Sequence, residues 1–224
     1  MSSVAASPYT QEISRATPAF FLFLIDQSFS MEEPIGGAGP RKCEAVANTI
    51  NTWLENLIIR ATGSGGIKDY MHLGVLGYRT VDDPNNPTPI IESALSPPLT
   101  EIFNRDGFVR ISEVAQHQQT KQLMMNVYDE ETGEDIQTPV EKPSWIEPVR
   151  EGGTPMCTAL YQAYQLVDKW INTGDNRRCF PPIVVHLTDG EAMDGDPVPY
   201  AQAIHSLSTD NGNVLMFNCH LSMN

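Results

Sequence analysis

The stretch FFLFLIDQSFSMEEPI, residues 20–35, decides the fold of this chain. It opens with a continuous apolar run, Phe20 to Ile25, which has the length of a β-strand. A strand that is apolar on both faces belongs in the middle of a sheet that helices cover on each side. Asp26, Ser28 and Ser30 then follow at every second position. An extended loop can therefore point one carboxylate and two hydroxyls in the same direction.

The segments on either side of this stretch alternate between helix and strand patterns. Helical spacing of apolar residues predicts helices over 41–61, 155–171 and 199–208, and apolar runs predict strands over 70–80, 183–187 and 213–221. Such alternation is typical of an α/β layer fold with a largely parallel sheet. We therefore predict a parallel sheet with helices on both of its faces.

Residues 84–150 interrupt this alternation and are rich in proline and polar residues. Within them we predict a short strand over 89–93 and a β-hairpin, KQLMMNVYDEETGEDIQTPV, that turns at Glu131 to Gly133. We interpret the segment as an insertion at one side of a single domain that covers residues 19–224. A long insertion at a domain edge is a reasonable candidate for choosing a binding partner. Residues 1–18 read as a flexible polar tail.

Composition and charge exclude several classes of function. The 14 basic and 28 acidic residues give a net charge of −14, so the chain is repelled by phosphate backbones and by anionic membrane surfaces. We therefore expect binding to neither nucleic acid nor membranes. No apolar run approaches the roughly 20 residues that span a bilayer, and residues 1–18 lack the pattern of a secretory signal.

The four cysteines, Cys43, Cys157, Cys179 and Cys219, are widely separated and contain no C-x-x-C pair. This spacing argues against a zinc site. We interpret them as reduced thiols, mostly packed inside. Together with the missing secretory signal, they predict a cytoplasmic protein.

Three polar clusters lie where ligands bind in open α/β sheets, at the carboxyl ends of strands. Asp26, Ser28 and Ser30 follow the first strand, Asp189 follows IVVHLT, and Thr154 follows two glycines and precedes a helix. Two carboxylates and three hydroxyls form an all-oxygen set, which suits Mg²⁺, with Mn²⁺ or Ca²⁺ as alternatives. Because the hydroxyls are neutral, a bound divalent ion would stay electrophilic towards a further anionic ligand.

Each cluster also has a structural interpretation. Asp26, Ser28 and Ser30 can hydrogen-bond within a turn, Thr154 before a proline is typical of a helix N-cap, and Thr188 to Gly190 is a common turn sequence. Nearby acids can form either a solvated rim or a surface that selects basic partners; they are Glu32, Glu33, Glu191, Asp194 and Asp196. The hypothesis of a metal site rests on the combination of the three clusters.

The segments FLFLIDQSFSM, GGTPM and IVVHLTDGE, in this order, resemble the three loops of the von Willebrand factor A domain. The resemblance implies a Rossmann-like fold and a metal-ion-dependent adhesion site in which Mg²⁺ is held by Asp26, Ser28, Ser30, Thr154 and Asp189. It also implies protein binding without catalysis, with an acidic side chain of the partner completing the metal shell. In its short length, its acidity and its expected cytosolic location, the chain resembles small bacterial members of the family from tellurium-resistance, stress and conflict gene clusters.

Two features depart from the family pattern. Phe29 stands where the family more often has glycine, and its side chain could pack inside or form a binding surface beside the metal. The family also continues past the strand NVLMFNCHL with a further strand and a C-terminal helix, which the sequence does not contain. We expect this last layer to lie outside the given sequence, to be missing, or to be supplied by a partner.

An enzyme is the main alternative function. Aspartate-based phosphatases and hydrolases also begin with an apolar strand and an aspartate, but they need a second acid where this chain has Ser28. GSGGIK lacks the phosphate-loop pattern and reads as a linker, and His186 within an apolar strand is typical of a hydrogen-bonded core residue. We therefore expect no catalysis. A third hypothesis is a structural scaffold whose metal site stays empty.

Overall fold

The computed structural model describes residues 8–81, 87–129 and 133–222. The predicted hairpin turn falls partly on Glu131 and Thr132, which lie outside the described residues, as do residues 1–7 of the predicted tail and the first residues of the predicted insertion. Within the described part, Tyr9 is joined to the domain, because its backbone N–H donates to the carbonyl of Asn211 at 2.7 Å.

The chain folds into an α/β structure in which strands and helices alternate outside the insertion. The strands are β1 (Ala19–Asp26), β2 (Thr62–Gly63), β3 (Gly66–Ile67), β4 (Met71–Thr80), β5 (Pro89–Ser93), β6 (Val109–Arg110), β7 (Gln119–Asp129), β8 (Glu134–Ser144), β9 (Ile183–Thr188), β10 (Ser208–Thr209), β11 (Gly212–Asn213) and β12 (Leu215–His220). The helices are α1 (Lys42–Ala61), α2 (Leu99–Asp106), α3 (Ile111–Gln116), α4 (Met156–Ile171) and α5 (Val198–Ser206).

The main sheet has the strand order β12-β9-β1-β4-β5, and β6 also pairs with β4. Strands β12, β9, β1 and β4 run parallel, whereas β5 and β6 run antiparallel to β4. The chain leaves β1 towards β4 on one side and later returns to place β9 on the other side. Strand order therefore reverses between β1 and β9, which is the switch point where α/β sheets bind ligands. The predicted fold class is confirmed.

The central strand β1 is covered on both faces, as its continuous apolar run predicts. The rings of Phe21 and Phe23 contact Trp53 of α1 with centroids 5.3 and 5.0 Å apart. Phe20 points the other way and stacks on Trp170 of α4 at 5.2 Å. Because successive side chains of a strand alternate between faces, this arrangement fixes the direction in which β1 delivers Asp26 to the sheet edge.

The insertion contains structure that the sequence pattern did not predict. Helices α2 and α3 and the short strand β6 lie between the predicted strand β5, whose bounds are confirmed, and the hairpin. Leu99 and Phe103 of α2 and Ile111 and Val114 of α3 are buried. These apolar side chains attach the insertion to the core, so its first half is an integral part of the domain.

The predicted hairpin is confirmed and is longer than the sequence suggests. Strands β7 and β8 pair antiparallel along eleven residue pairs, from Gln119 with Ser144 to Asp129 with Glu134. They form a sheet of their own rather than joining the main one. We call β7 and β8 together the ribbon.

Several predicted boundaries are wrong by one or two residues. Helix α5 spans Val198–Ser206 rather than 199–208, and β12 spans Leu215–His220 rather than 213–221. The segment interpreted as a linker, Gly63 to Lys68, contains part of a small hairpin of β2 and β3. These boundaries were mispredicted because two-residue strands and frayed helix ends leave no periodic pattern in the sequence.

A candidate metal site at the sheet edge

Three loops meet at the carboxyl ends of β1 and β9. After β1, the Ser28 backbone N–H donates to Asp26 Oδ1 at 2.9 Å. The hydroxyls of Ser28 and Ser30 lie 3.1 Å apart, and the Ser30 hydroxyl donates to Asp189 Oδ1 at 2.8 Å. The predicted first and third loops are thus in direct contact although 159 positions separate Ser30 from Asp189.

The second loop is joined to the first through its backbone. The N–H of Phe29 donates to the carbonyl of Gly152 at 2.9 Å, and the N–H of Gly153 donates to the Thr80 hydroxyl at 2.7 Å. Gly152 has a φ of +60°, and a Cβ at this position would lie 2.1 Å from the Thr80 carbonyl oxygen. Only glycine can therefore hold the loop this close to the end of β4.

Thr154 is buried and turns towards the third loop. Its carbonyl accepts from the N–H of Met193 at 3.0 Å, and its hydroxyl lies 3.8 Å from the point that a Cβ on Gly190 would occupy. Hydrogen bonds therefore connect four of the five predicted residues, Asp26, Ser28, Ser30 and Asp189. Thr154 lies on the second loop, which is hydrogen-bonded to Phe29 of the first loop and to Met193.

The alternative interpretation of Thr154 as a helix N-cap is wrong. Helix α4 begins at Met156, with Pro155 at its N-cap position and no side-chain cap from that residue. Asp194 supplies the missing acceptor, because Cys157 N and Thr158 N donate to its two carboxylate oxygens at 2.9 Å each. No local sequence pattern predicts this contact, since the capping residue comes from a loop 37 positions away.

Asp26 is a fully buried carboxylate with neutral partners. The Thr188 hydroxyl donates to its Oδ2 at 2.7 Å, and the Ser28 backbone N–H donates to its Oδ1 at 2.9 Å. Burial raises the pKa of Asp26, and the hydrogen bonds from Ser28 and Thr188 offset only part of that rise. Among the described residues no cation pairs with it. Buried carboxylates are normally paired with a cation or coordinate a metal.

Asp189 differs from Asp26 because it has a cation partner. Lys42, the first residue of α1, donates through its Nζ to Asp189 Oδ2 and to Glu33 Oε2, both at 2.7 Å. Burial opposes the charge of Lys42, but the two carboxylates outweigh it and the pKa of Lys42 is raised. Sequence reasoning missed Lys42, since 147 positions separate it from Asp189.

The other acids near the site have mostly structural partners. Glu32 pairs with Arg41 at 3.4 Å and with Arg150 at 3.1 Å, and the Asp196 side chain accepts from Val198 N at 3.0 Å near the start of α5. Together with Glu33 on Lys42 and Asp194 on α4, four of the five acids proposed as a rim stabilise the loops. Glu191 is exposed.

Two apolar side chains are exposed on the loops of the site. Phe29 is 67 % exposed and Met193 is 70 % exposed, although both lie in loops that are hydrogen-bonded to neighbouring site loops. Of the two positions predicted for the Phe29 side chain, packed inside or at the surface, the structure has the second. An exposed aromatic ring on a well-fixed loop is a suitable anchor for a binding partner.

His186 lies beneath the site and serves the core. It is buried, and its Nε2 is 2.7 Å from the hydroxyl of Tyr78. Burial lowers the pKa of His186 to about 4, although a hydrogen bond with Asn218 opposes the shift, so the ring is neutral at pH 7. The prediction of a hydrogen-bonded core histidine is confirmed.

The residues at this edge fit a hard divalent cation. Within the described residues no cluster of three or more His, Cys, Asp or Glu side chains is suited to hold a metal. The donors here are two carboxylates and three hydroxyls, a set that Mg²⁺ accepts when water completes its shell. Asp26 is a buried carboxylate with no cation partner among the described residues, whereas Asp189 is already paired with Lys42. Direct ligation by Asp26 and the hydroxyls, with Asp189 acting through water, is the arrangement that fits.

The other predictions from composition concern cysteines and membrane helices. All four cysteines are free, with Cys43, Cys157 and Cys179 buried and Cys219 exposed, in agreement with mostly buried thiols. In the described part of the chain, no helix has the length and apolar character required to cross a bilayer.

This chain is similar to known proteins at the level of structure. No family model and no curated protein matches this chain. It is similar to the solved structure of a von Willebrand factor type A protein from Catenulispora acidiphila, with 16 % identity, coverage of 90 % of this chain and 33 % of that one, and a TM-score of 0.46.

Two further solved structures come from pili. For the three N-terminal domains of the type V pili tip protein Mfa5 from Porphyromonas gingivalis, the identity is 12 %, the coverage is 79 % of this chain and 20 % of that one, and the TM-score is 0.37. For the pilus adhesin RrgA from Streptococcus pneumoniae, the identity is 10 %, the coverage is 84 % of this chain and 22 % of that one, and the TM-score is 0.38. This chain spans a third or less of each of the three structures.

Proposed function

We propose that this chain is a metal-dependent protein-interaction module that binds its partner through a Mg²⁺-bridged acidic residue. The observation that carries the proposal is Asp26, a buried carboxylate whose hydrogen-bond partners are all neutral, surrounded by hydroxyls from the same edge of the sheet. Asp26, Ser28, Ser30 and Thr154 would hold the ion directly or through water, and Asp189 would do so through water. When bound, the ion supplies a Lewis-acidic position for an oxygen ligand of the partner.

The surroundings of the site favour a protein partner over a small substrate. Phe29 and Met193 are exposed on loops next to the polar centre, and apolar or aromatic anchors around a charged contact are typical of protein interfaces. A partner carboxylate would meet the ion while apolar groups cover these two side chains.

An enzyme of the phosphatase or hydrolase type remains the alternative function. The position two residues after Asp26 is Ser28, so the second acid of such enzymes is replaced by a hydroxyl. His186 is buried in the core, where its Nε2 contacts the Tyr78 hydroxyl and burial lowers its pKa to about 4. These two features favour binding over catalysis. A scaffold with an empty metal site is the other alternative, and it predicts no effect of Mg²⁺ on stability.

The cellular setting follows from the family resemblance alone. We assign the module to a bacterial stress, defence or signalling complex in the cytoplasm by analogy with the small relatives named above.

The test is capture of partners by the immobilised chain with Mg²⁺, with a chelator, and with the variant Asp26→Ala. We expect the specific partner to be captured only by the wild type with Mg²⁺, while the variant keeps its circular dichroism spectrum and cooperative unfolding. Equal capture under all three conditions would overturn the metal-bridged mechanism.

A further inference from the structure

Lys42 is placed against the usual preferences of its residue type. It is the first residue of α1, where the helix dipole favours negative rather than positive charge. Its side chain is only 4 % exposed, although lysines are almost never buried without a partner. A buried cationic side chain at the start of a helix indicates that the group it binds, here Asp189 of the site, requires a positive charge beside it.

That requirement is the fixing of Asp189. Lys42 Nζ binds Asp189 Oδ2 at 2.7 Å while the Ser30 hydroxyl binds Oδ1 at 2.8 Å. Both carboxylate oxygens are thus engaged, and the Asp189 side chain is fully buried. Asp189 cannot turn towards an ion at Asp26 without giving up one of these bonds.

The charge of Lys42 also changes what the site can hold. Asp26 and Asp189 contribute −1 each and Lys42 contributes +1, so this set carries −1 rather than −2. Glu33, the other partner of Lys42, is 48 % exposed, and water screens its charge more than that of the buried pair. A divalent cation would bring the set to a net charge of +1.

We propose that Lys42 is a charge-setting residue that keeps Asp189 out of direct ligation and leaves the metal-loaded site positive, so that the site selects an anionic oxygen ligand such as a carboxylate. This inference rests on the proposed function and deepens it. Lys42 weakens the metal affinity of the chain alone, because it is a like charge close to the ion. An anionic ligand strengthens metal binding more when Lys42 is present than when it is absent. The reason is that the metal-loaded site is then positive, so the metal and the anion stabilise each other's binding.

The experiment is a calorimetric Mg²⁺ titration of the wild type, Lys42→Gln and Lys42→Arg, in chloride and in acetate at equal ionic strength. The glutamine keeps a donor for Asp189 and removes the charge, whereas the arginine keeps the charge. We expect Lys42→Gln to bind Mg²⁺ at least about tenfold more tightly than the wild type in chloride. We expect acetate to strengthen Mg²⁺ binding to the wild type and to Lys42→Arg, and to have a smaller effect on Lys42→Gln.

The outcomes separate this inference from the proposed function. If the wild type binds Mg²⁺ and Asp26→Ala does not, but folded Lys42→Gln matches the wild type in both salts, the role of Lys42 is overturned and the metal site stands. If no variant binds Mg²⁺ in either salt, the proposed function itself fails. Should Lys42→Gln not fold, the wild type decides alone, because Mg²⁺ binding that acetate does not strengthen would overturn the inference.

Discussion

The site edge and the ribbon are held by different kinds of contact. At the site edge, loops distant in sequence are joined by hydrogen bonds between side chains and backbone, as in the bond from Ser30 to Asp189. In the ribbon, eleven pairs of residues are joined along two strands, while Met124 and Tyr128 are 61 % and 64 % exposed. The site is therefore fixed by tertiary contacts, and the ribbon mainly by pairing with itself.

The base of the ribbon is an exception, because tertiary hydrogen bonds attach it to α1 and α3. The buried Asn51 of α1 accepts from the backbone N–H groups of Trp145 and Ile146 at 2.8 and 3.1 Å, and its amide donates to the Ile146 carbonyl at 3.0 Å. The Trp145 indole donates to the Val114 carbonyl at 2.7 Å. Beyond this anchor, a two-stranded ribbon is only marginally stable by itself, so substitutions near its tip should leave the rest of the domain unchanged.

The largest effect is expected at the second loop of the site. Gly152→Ala places a Cβ against the Thr80 carbonyl in a backbone conformation with φ +60°, and we expect a loss of about 3 kcal/mol or more in the free energy of unfolding. Gly36→Ala is the matched control, since Gly36 has a φ of +61° and nothing within 4 Å of an added Cβ. It should lose only about 1 kcal/mol. Equal losses in denaturant unfolding would show that the contact with Thr80 does not fix the loop.

A smaller effect is expected at the cap of α4. Asp194→Ala leaves the N–H groups of Cys157 and Thr158 without their acceptor, which should lower the free energy of unfolding by about 1 kcal/mol at pH 7. Burial opposes the ionised form of Asp194, but the hydrogen bonds to α4 outweigh it and its pKa is lowered below 3.8.

The pH dependence of this loss has a defined sign. The contribution of ionised Asp194 is fully present above the pKa of the unfolded state, and it is lost as the pH falls through the lower pKa of the folded state. The stability difference between the wild type and Asp194→Ala should therefore shrink in acid below about pH 4. Asp194→Asn is the control, because it keeps one acceptor and cannot ionise. A difference that grows in acid would contradict the assigned role.

The smallest effect is expected in the ribbon. Val127→Thr changes a side chain that is 41 % exposed, and we expect the free energy of unfolding to stay within about 0.5 kcal/mol of the wild type. The identical change at Val75 in β4, which is fully buried, should cost about 1–3 kcal/mol because it buries a hydroxyl. Similar losses at the two positions, measured by denaturant unfolding, would show that the ribbon is part of the cooperative core.

The sequence predicted the sheet and the five candidate ligands because both leave local patterns. The apolar run of β1 requires two covered faces, and each candidate ligand lies at the end of a strand, in the loop after a strand, or just before a helix. Helices α2 and α3 escaped prediction because they have only eight and six residues, too short for a clear helical period. Their positions depend on tertiary burial of side chains such as Phe103 and Ile111.

Lys42 and Asp194 escaped prediction for a different reason. Their roles depend on partners 147 and 37 positions away, and neither residue belongs to the three loop motifs. Sequence patterns therefore identify candidate ligands by their residue types and spacing. They do not identify the charged and capping residues that hold those ligands in place.

The central claim is that Asp26 anchors a divalent cation. The most direct test is calorimetric titration of Mg²⁺ into the wild type and into Asp26→Ala, each with acetate present to supply the carboxylate of a partner. We expect one ion to bind to the wild type. Asp26→Ala should keep its fold but lose more than about 100-fold in affinity for Mg²⁺, since substitutions of residues that only support the metal ligands already cost roughly 10–100-fold. Equal binding by the two proteins, or no binding by the wild type even with acetate, would contradict the claim.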